Sequence, residues 1–205
     1  MQAAGDGRPT TPGLLPRLAN RTERDIRMAG ATTEINDLRE VAPGIYYANG
    51  PLVAADGAVV SLLKQAAREN PVRRARLCAH SSPDATQHDM LIVSHRETYV
   101  APHRHRGRTE TMVVVEGEAD AVVFDENGAV TERLRLGAAG SGRTFFYRMP
   151  PQRFHSLRVR SELLVFLEST VGPFQPDSTE FADWAPQPHE AEAGRRYLDR
   201  LLSGG

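Results

Sequence analysis

Residues 109–128 read Thr-Glu-Thr-Met-Val-Val-Val-Glu-Gly-Glu-Ala-Asp-Ala-Val-Val-Phe-Asp-Glu-Asn-Gly. Two short runs rich in β-branched and apolar residues, 109–115 and 119–125, are set off by Gly117 and by Asn127-Gly128. Neither run is long enough for a helix, and Asn-Gly readily supplies the positive φ angles of a tight hairpin. The stretch predicts two extended strands, with turns at Gly117 and at 125–128.

The same texture continues on both sides. Extended segments are expected at 73–80, 89–95, 98–103, 130–136, 144–149, 154–160 and 163–169, separated by turn residues. That density predicts a mainly β fold, an antiparallel sandwich or barrel, over residues 71–170. Within the preceding segment, 31–70, residues 57–70 place Val59, Leu62, Leu63, Ala66 and Ala67 on one helical stripe that ends at Asn70-Pro71. Residues 171–205 form a C-terminal segment that leaves the sheet at Gly172-Pro173. It carries Trp184 and Phe181 to pack on the barrel and closes with a helix over 190–202. Residues 1–30, rich in Gly, Pro, Thr and charge without periodicity, read as a disordered tail.

Composition narrows the function classes. Among 205 residues, 25 Lys plus Arg oppose 26 Asp plus Glu, so nothing in the charge balance calls for nucleic acid. No apolar run approaches the roughly 20 residues that span a bilayer, and no secretory leader is visible, so no membrane partner is expected. A single cysteine, Cys78, rules out an internal disulfide framework and points to a reducing cytoplasm.

Chemistry concentrates in Pro102-His103-Arg104-His105, with Glu110 five residues further on. On an extended segment alternate residues share a face, so His103 and His105 can address one centre, and Glu110 is expected to join them from the adjacent strand. Downstream, Pro150-Pro151 sets a turn before His155, which shares a face with Leu157 and Val159 and is expected to enter from the far side of the barrel. Three imidazoles and one carboxylate suit one divalent cation of the Zn, Fe, Mn, Ni or Cu type and leave coordination positions open. Arg76, Cys78 and His80 alternate along another extended segment. They are candidates for a substrate pocket that binds anions.

These residues resemble a known superfamily. His103-x-His105-x4-Glu110-x6-Gly117 is similar to the first cupin motif, and Pro150-x4-His155 to the second. Glu97 stands at the usual initial glycine of the first, while Gln152 and Val159 stand at a glycine and an asparagine of the second. More narrowly, 74–80, 99–105, 123–130, Glu168 with 171–174, and 181–186 resemble the WbuC-type cupin-fold metalloproteins, a group associated with polysaccharide gene clusters. The resemblance implies a cupin-type antiparallel β-barrel, that is, a double-stranded β-helix or jelly roll, holding one metal ion.

The leading expectation is a metal-binding protein that acts on a small polar metabolite, anionic or sugar-like, by Lewis-acid chemistry of the isomerase or epimerase kind. Two alternatives stand beside it: an Fe(II) or Cu(II) oxygenase, and a non-enzymatic metal- or carbohydrate-binding module. No catalytic acid or base is named from the sequence, Glu168 is a candidate to orient a ligand imidazole, and a homodimer is an admissible assembly.

Overall fold

A computed structural model describes residues 38–203. The expected tail over 1–30 lies outside the described residues. The chain runs β1 (Leu38–Ala42), β2 (Ile45–Ala48), α1 (Gly57–Glu69), β3 (Arg74–Cys78), β4 (Gln87–His95), β5 (His103–His105), β6 (Glu110–Glu116) and β7 (Glu118–Phe124). It continues through β8 (Val130–Gly137), β9 (Phe146–Met149), β10 (Phe154–Val159), β11 (Leu163–Val171), β12 (Thr179–Phe181) and α2 (Ala191–Leu202).

The strands form two sheets, in the orders β1-β2-β3-β4-β11-β6-β9 and β12-β5-β10-β7-β8. The chain doubles back at the β7–β8 hairpin, where Phe124 faces Val130. From there the pairings nest: β7 with β8, β6 with β9, β5 with β10 and β4 with β11. The double strand therefore winds between the two sheets. This is the jelly-roll, double-stranded β-helix topology used by cupins. Its interior is filled from both faces by residues such as Ile92, Val114, Ala121, Leu157, Leu164 and Phe166.

Two glycines make this winding possible. Gly117 has φ +85°, and a Cβ there would stand 2.3 Å from the Leu163 carbonyl oxygen. It lies at the crossing from β6 in one sheet to β7 in the other, so the hairpin expected at this point is instead an inter-sheet corner. Gly128, with φ +84°, closes the β7–β8 hairpin, and a Cβ there would press the Trp184 ring at 2.8 Å.

Helices cover the outer faces. Asp56 caps α1 by accepting from the amides of Ala58 and Val59 at 2.9 and 3.1 Å. Val59, Leu63 and Ala67, spaced by four, are buried against Ala75, Leu77, Val93 and Val165. Burial of Leu63 alone contributes about 1.5–3 kcal/mol. α1 is also the crossover between β2 and β3, which pair in parallel. The β1–β2 hairpin and this parallel pair extend the first sheet beyond the segments expected from sequence. On the second sheet, Leu198 and Leu202 of α2 pack with Val122, Phe124 and Phe154. Trp184 joins them with ring centroids 5.2 Å from Phe124 and 5.7 Å from Phe154, whereas Phe181 stays 46% exposed beside His103. Residues 98–102, expected to begin a strand, are irregular; β5 starts only at His103. No helix among the described residues is long and apolar enough to cross a membrane.

Asp120 on β7 is buried and clamped by Arg133 at 3.1 Å and Arg160 at 2.5 Å. Burial raises its carboxyl pKa, but the two guanidiniums outweigh that and hold it below the usual carboxylate range. Asp120→Ala leaves both cations without their carboxylate. Breaking a buried pair costs 3–5 kcal/mol, and the partial exposure of both arginines reduces this to about 2 kcal/mol. Thermal denaturation should show a fall of roughly 4–8 °C; an unchanged melting temperature would mean that the triad carries no net stability.

Candidate metal centre

His103 and His105 lie on β5, and the ring of each meets that of His155 on β10, with centroids 4.4 and 5.7 Å away. β10 is the neighbour of β5, and His155 is directly opposite His103 in the register. It therefore comes from beside the pair and not from the far side of the barrel. Glu110, expected on an adjacent strand, opens β6 in the other sheet and reaches the histidines across the interior. One ligand atom from each of the four residues lies within 4.8 Å of the other three.

Hydrogen bonds orient the rings. Nδ1 of His103 is 2.8 Å from the Ala101 carbonyl, and Nδ1 of His155 is 2.9 Å from that of Arg153. A carbonyl only accepts, so each Nδ1 carries the proton and each Nε2 is left for the centre. His105 places Nδ1 3.1 Å from both Arg108 Nη2 and Thr179 Oγ1. Its Nε2 stands 2.7 Å from Glu110 Oε1 but lacks hydrogen-bond geometry, and it is buried without a partner. An orphaned buried imidazole nitrogen, two further Nε2 atoms and a carboxylate together form a donor set that fits one divalent cation. The site can hold such an ion.

The charges reinforce one another. Burial, then the nearby His155, push His103 down to about 3, so this ring is neutral at physiological pH. Burial works to raise Glu110, yet its contacts with His105 and His155 outweigh it and hold the carboxyl well below the usual range. For His155 burial works downward, and the Glu110 contact outweighs it and raises the imidazole.

The centre lies in the wall of a cavity of about 250 Å³. Arg76, Cys78 and His80 all line it. Burial pushes the Cys78 thiol up, against the smaller opposing influence of Arg76, so it is a neutral thiol. His80 stacks on His88 with centroids 3.9 Å apart. Glu168, expected to orient a ligand imidazole, lines the same cavity but hydrogen-bonds none of the three rings; Arg74, His88 and Tyr147 also line it and are not expected there from sequence. For Arg74 the strand alternation with Arg76 and Cys78 was the available signal. Glu168 is pushed up to about 7 by burial and then by the charge of Glu110, against the opposing Arg74 and Arg76. Among the described residues it forms no ion pair and accepts no hydrogen bond.

A family model described as a domain of unknown function (DUF6016) matches residues 55–136. No curated protein matches the chain. Among solved structures, an uncharacterized conserved protein with a double-stranded β-helix domain from Klebsiella pneumoniae subsp. pneumoniae MGH 78578 is 20% identical, covering 54% of this chain and 80% of its own, with a TM-score of 0.40. The capsular polysaccharide assembling protein CapF from Staphylococcus aureus is 17% identical over 53% of this chain, with a TM-score of 0.41; the chain spans only 28% of it. A protein from Shewanella oneidensis is 12% identical over 61% of this chain and 78% of its own, with a TM-score of 0.42. Each is a likeness of fold alone.

Gln152, a non-glycine residue, has a left-handed backbone, φ +67°. Its amide donates to the His105 carbonyl at 3.0 Å, which ties the β9–β10 turn to the centre. A left-handed non-glycine residue costs about 1–2 kcal/mol, partly offset because glycine loses about 0.5–1 kcal/mol more chain entropy on folding. Gln152→Gly is therefore expected to stabilise the protein by about 0.5–1 kcal/mol and raise the melting temperature by roughly 1–4 °C. A lower melting temperature would show that the glutamine side chain outweighs the strain.

Proposed function

We propose that the chain binds one divalent cation through His103, His105, Glu110 and His155 and acts on a small polar metabolite in the adjoining cavity by proton transfer. The observation that carries this reading is the convergence of four donor residues around a buried His105 Nε2 that lies 2.7 Å from Glu110 without hydrogen-bond geometry. A bound cation would supply Lewis acidity to a ligand oxygen. The chain's own groups do the rest. His103 and Glu110 are already in their deprotonated, metal-accepting forms near neutral pH. Arg108 Nη2 and Thr179 Oγ1 both meet His105 Nδ1 and hold the ring so that Nε2 faces the centre.

Glu168 favours catalysis over simple binding. It lies on β11 two residues before Thr170, the register partner of Glu110, so it shares the cavity face with Glu110. A carboxyl poised near 7 and free of hydrogen bonds can both take up and return a proton at neutral pH. Such a group suits isomerisation or epimerisation. We further propose that the chain is of the WbuC type and serves polysaccharide metabolism; the residue resemblance supports this finer assignment.

Zinc titrated into chelator-treated protein tests the reading. With free metal about 1,000-fold above its dissociation constant, linkage adds about 4 kcal/mol, or roughly 8–16 °C in melting temperature. His155→Ala should abolish most of that rise, and an identical response of variant and wild type would refute the four-donor site.

Acidity gives a second check. The raised His155 pKa means that its pair with Glu110 stabilises the metal-free fold below the ordinary histidine value, and that this contribution fades as pH rises through the folded value. Metal binding must displace that proton, so zinc affinity should fall as pH drops from about 7 to 5. A flat profile by isothermal titration would argue against imidazole donors.

A further inference from the structure

Most arginines of this fold are tied to carboxylates. Arg104 and Arg106 grip Glu180, Arg133 and Arg160 grip Asp120, and Arg158 forks onto Asp199. Arg74 and Arg76, like Arg108 in the same cavity, are among the described arginines that are not so tied. Both line the cavity, and among the described residues neither forms an ion pair. Arg76 Nε is buried with no hydrogen-bond partner, and its charge acts on the Cys78 thiol and on the Glu168 carboxyl without an ion pair to either. A half-buried guanidinium with an unsatisfied Nε, whose cavity neighbour Glu168 makes no ion pair with it, is placed to accept an anion that comes from outside the chain.

We infer that the cavity takes a small oxyanion, a carboxylate or phosphate ester carrying a second oxygen donor, with its anionic end on the Arg76 guanidinium and its second oxygen toward the His103–His105–Glu110–His155 centre. The second contact rests on the metal reading above; the first does not.

Charge complementarity selects this class over a neutral sugar. The cavity lining carries three arginines, Arg74, Arg76 and Arg108, against two glutamates, Glu110 and Glu168, a surplus of at least one positive charge even with both glutamates ionised. A divalent cation at the centre raises the surplus to at least three. A neutral polyol compensates none of it, while a monocarboxylate or a phosphate ester removes one or two charges and matches the planar fork of arginine. Placement agrees with a two-point grip. Arg76 belongs to β3 in one sheet, whereas His103, His105 and His155 come from β5 and β10 in the other, so a ligand touching both bridges the sheets. Volume limits its size. About 250 Å³ leaves room for one small acid or sugar phosphate.

The test uses the full chain loaded with zinc and three probes of similar size: lactate, glycerol 3-phosphate and neutral glycerol. Isothermal titration is expected to show at least one of the anions binding tenfold or more tightly than glycerol. Which anion binds better separates carboxylate from phosphate recognition. Arg76→Lys keeps the charge but loses the fork, and should weaken anion binding at least about tenfold while zinc stoichiometry stays unchanged. Arg74→Gln, at an exposed position on β3, is the second variant should Arg76→Lys fail to fold, with a severalfold loss expected. Equal binding of glycerol and both anions, or unchanged anion affinity in the folded variants, overturns the inference. A wild-type chain that takes up no zinc overturns the metal reading instead. The same anion titrations on metal-free protein then decide the Arg76 contact alone.

Discussion

The arrangement on which the rest depends is the Glu110 carboxylate held inside the barrel between His105 at 2.7 Å and His155 at 3.3 Å. A buried carboxylate is stable only where opposite charge or good hydrogen-bond donors surround it. Here the donors come from strands of the opposite sheet, so the electrostatic balance of the centre and the winding of the jelly roll support each other. Any register slip in β5 or β10 would turn an imidazole to the outer face and leave Glu110 uncompensated.

The outer layers keep that register. α1 seals one sheet through Val59, Leu63 and Ala67, and α2 seals the other through Leu198 and Leu202. Arg158 and Arg160 join β10 and its end to Asp199 of α2, so the strand carrying His155 is anchored from outside by ion pairs and from inside by the core. β12 completes the support. It pairs with β5 and supplies Thr179 to the His105 ring, while Glu180 ties down Arg104 and Arg106 on either side of that histidine.

Function follows from where compensation is complete and where it is not. On the outer surface and in the helix contacts most arginines have their carboxylates. In the cavity Arg76 forms no ion pair, Glu168 is near its midpoint of ionisation, and His105 Nε2 faces Glu110 without hydrogen-bond geometry. Three incompletely satisfied groups facing one small space are a poor arrangement for stability alone. They are a good one for holding a charged ligand beside a cation and moving a proton on it.

The sequence by itself determined what depends on near neighbours. Period-two spacing places His103 and His105 on one face, Asn127-Gly128 makes its hairpin, and the 3.6-residue stripe of Val59, Leu63 and Ala67 makes its helix, because each is settled by backbone geometry within a few residues. Parity along a strand says which side chains agree, but not which sheet the strand joins. The structure alone decided that Gly117 is a corner between sheets, that Glu110 faces β5 across the interior, and that His155 lies beside His103. It also decided that β1, β2 and β12, each only three to five residues long, are strands at all, since pairing with a partner and not their own pattern holds them extended. The convergence of Arg74 and Tyr147 on the cavity has the same cause. Cross-strand register is set by packing of segments far apart in the chain, and no local spacing encodes it.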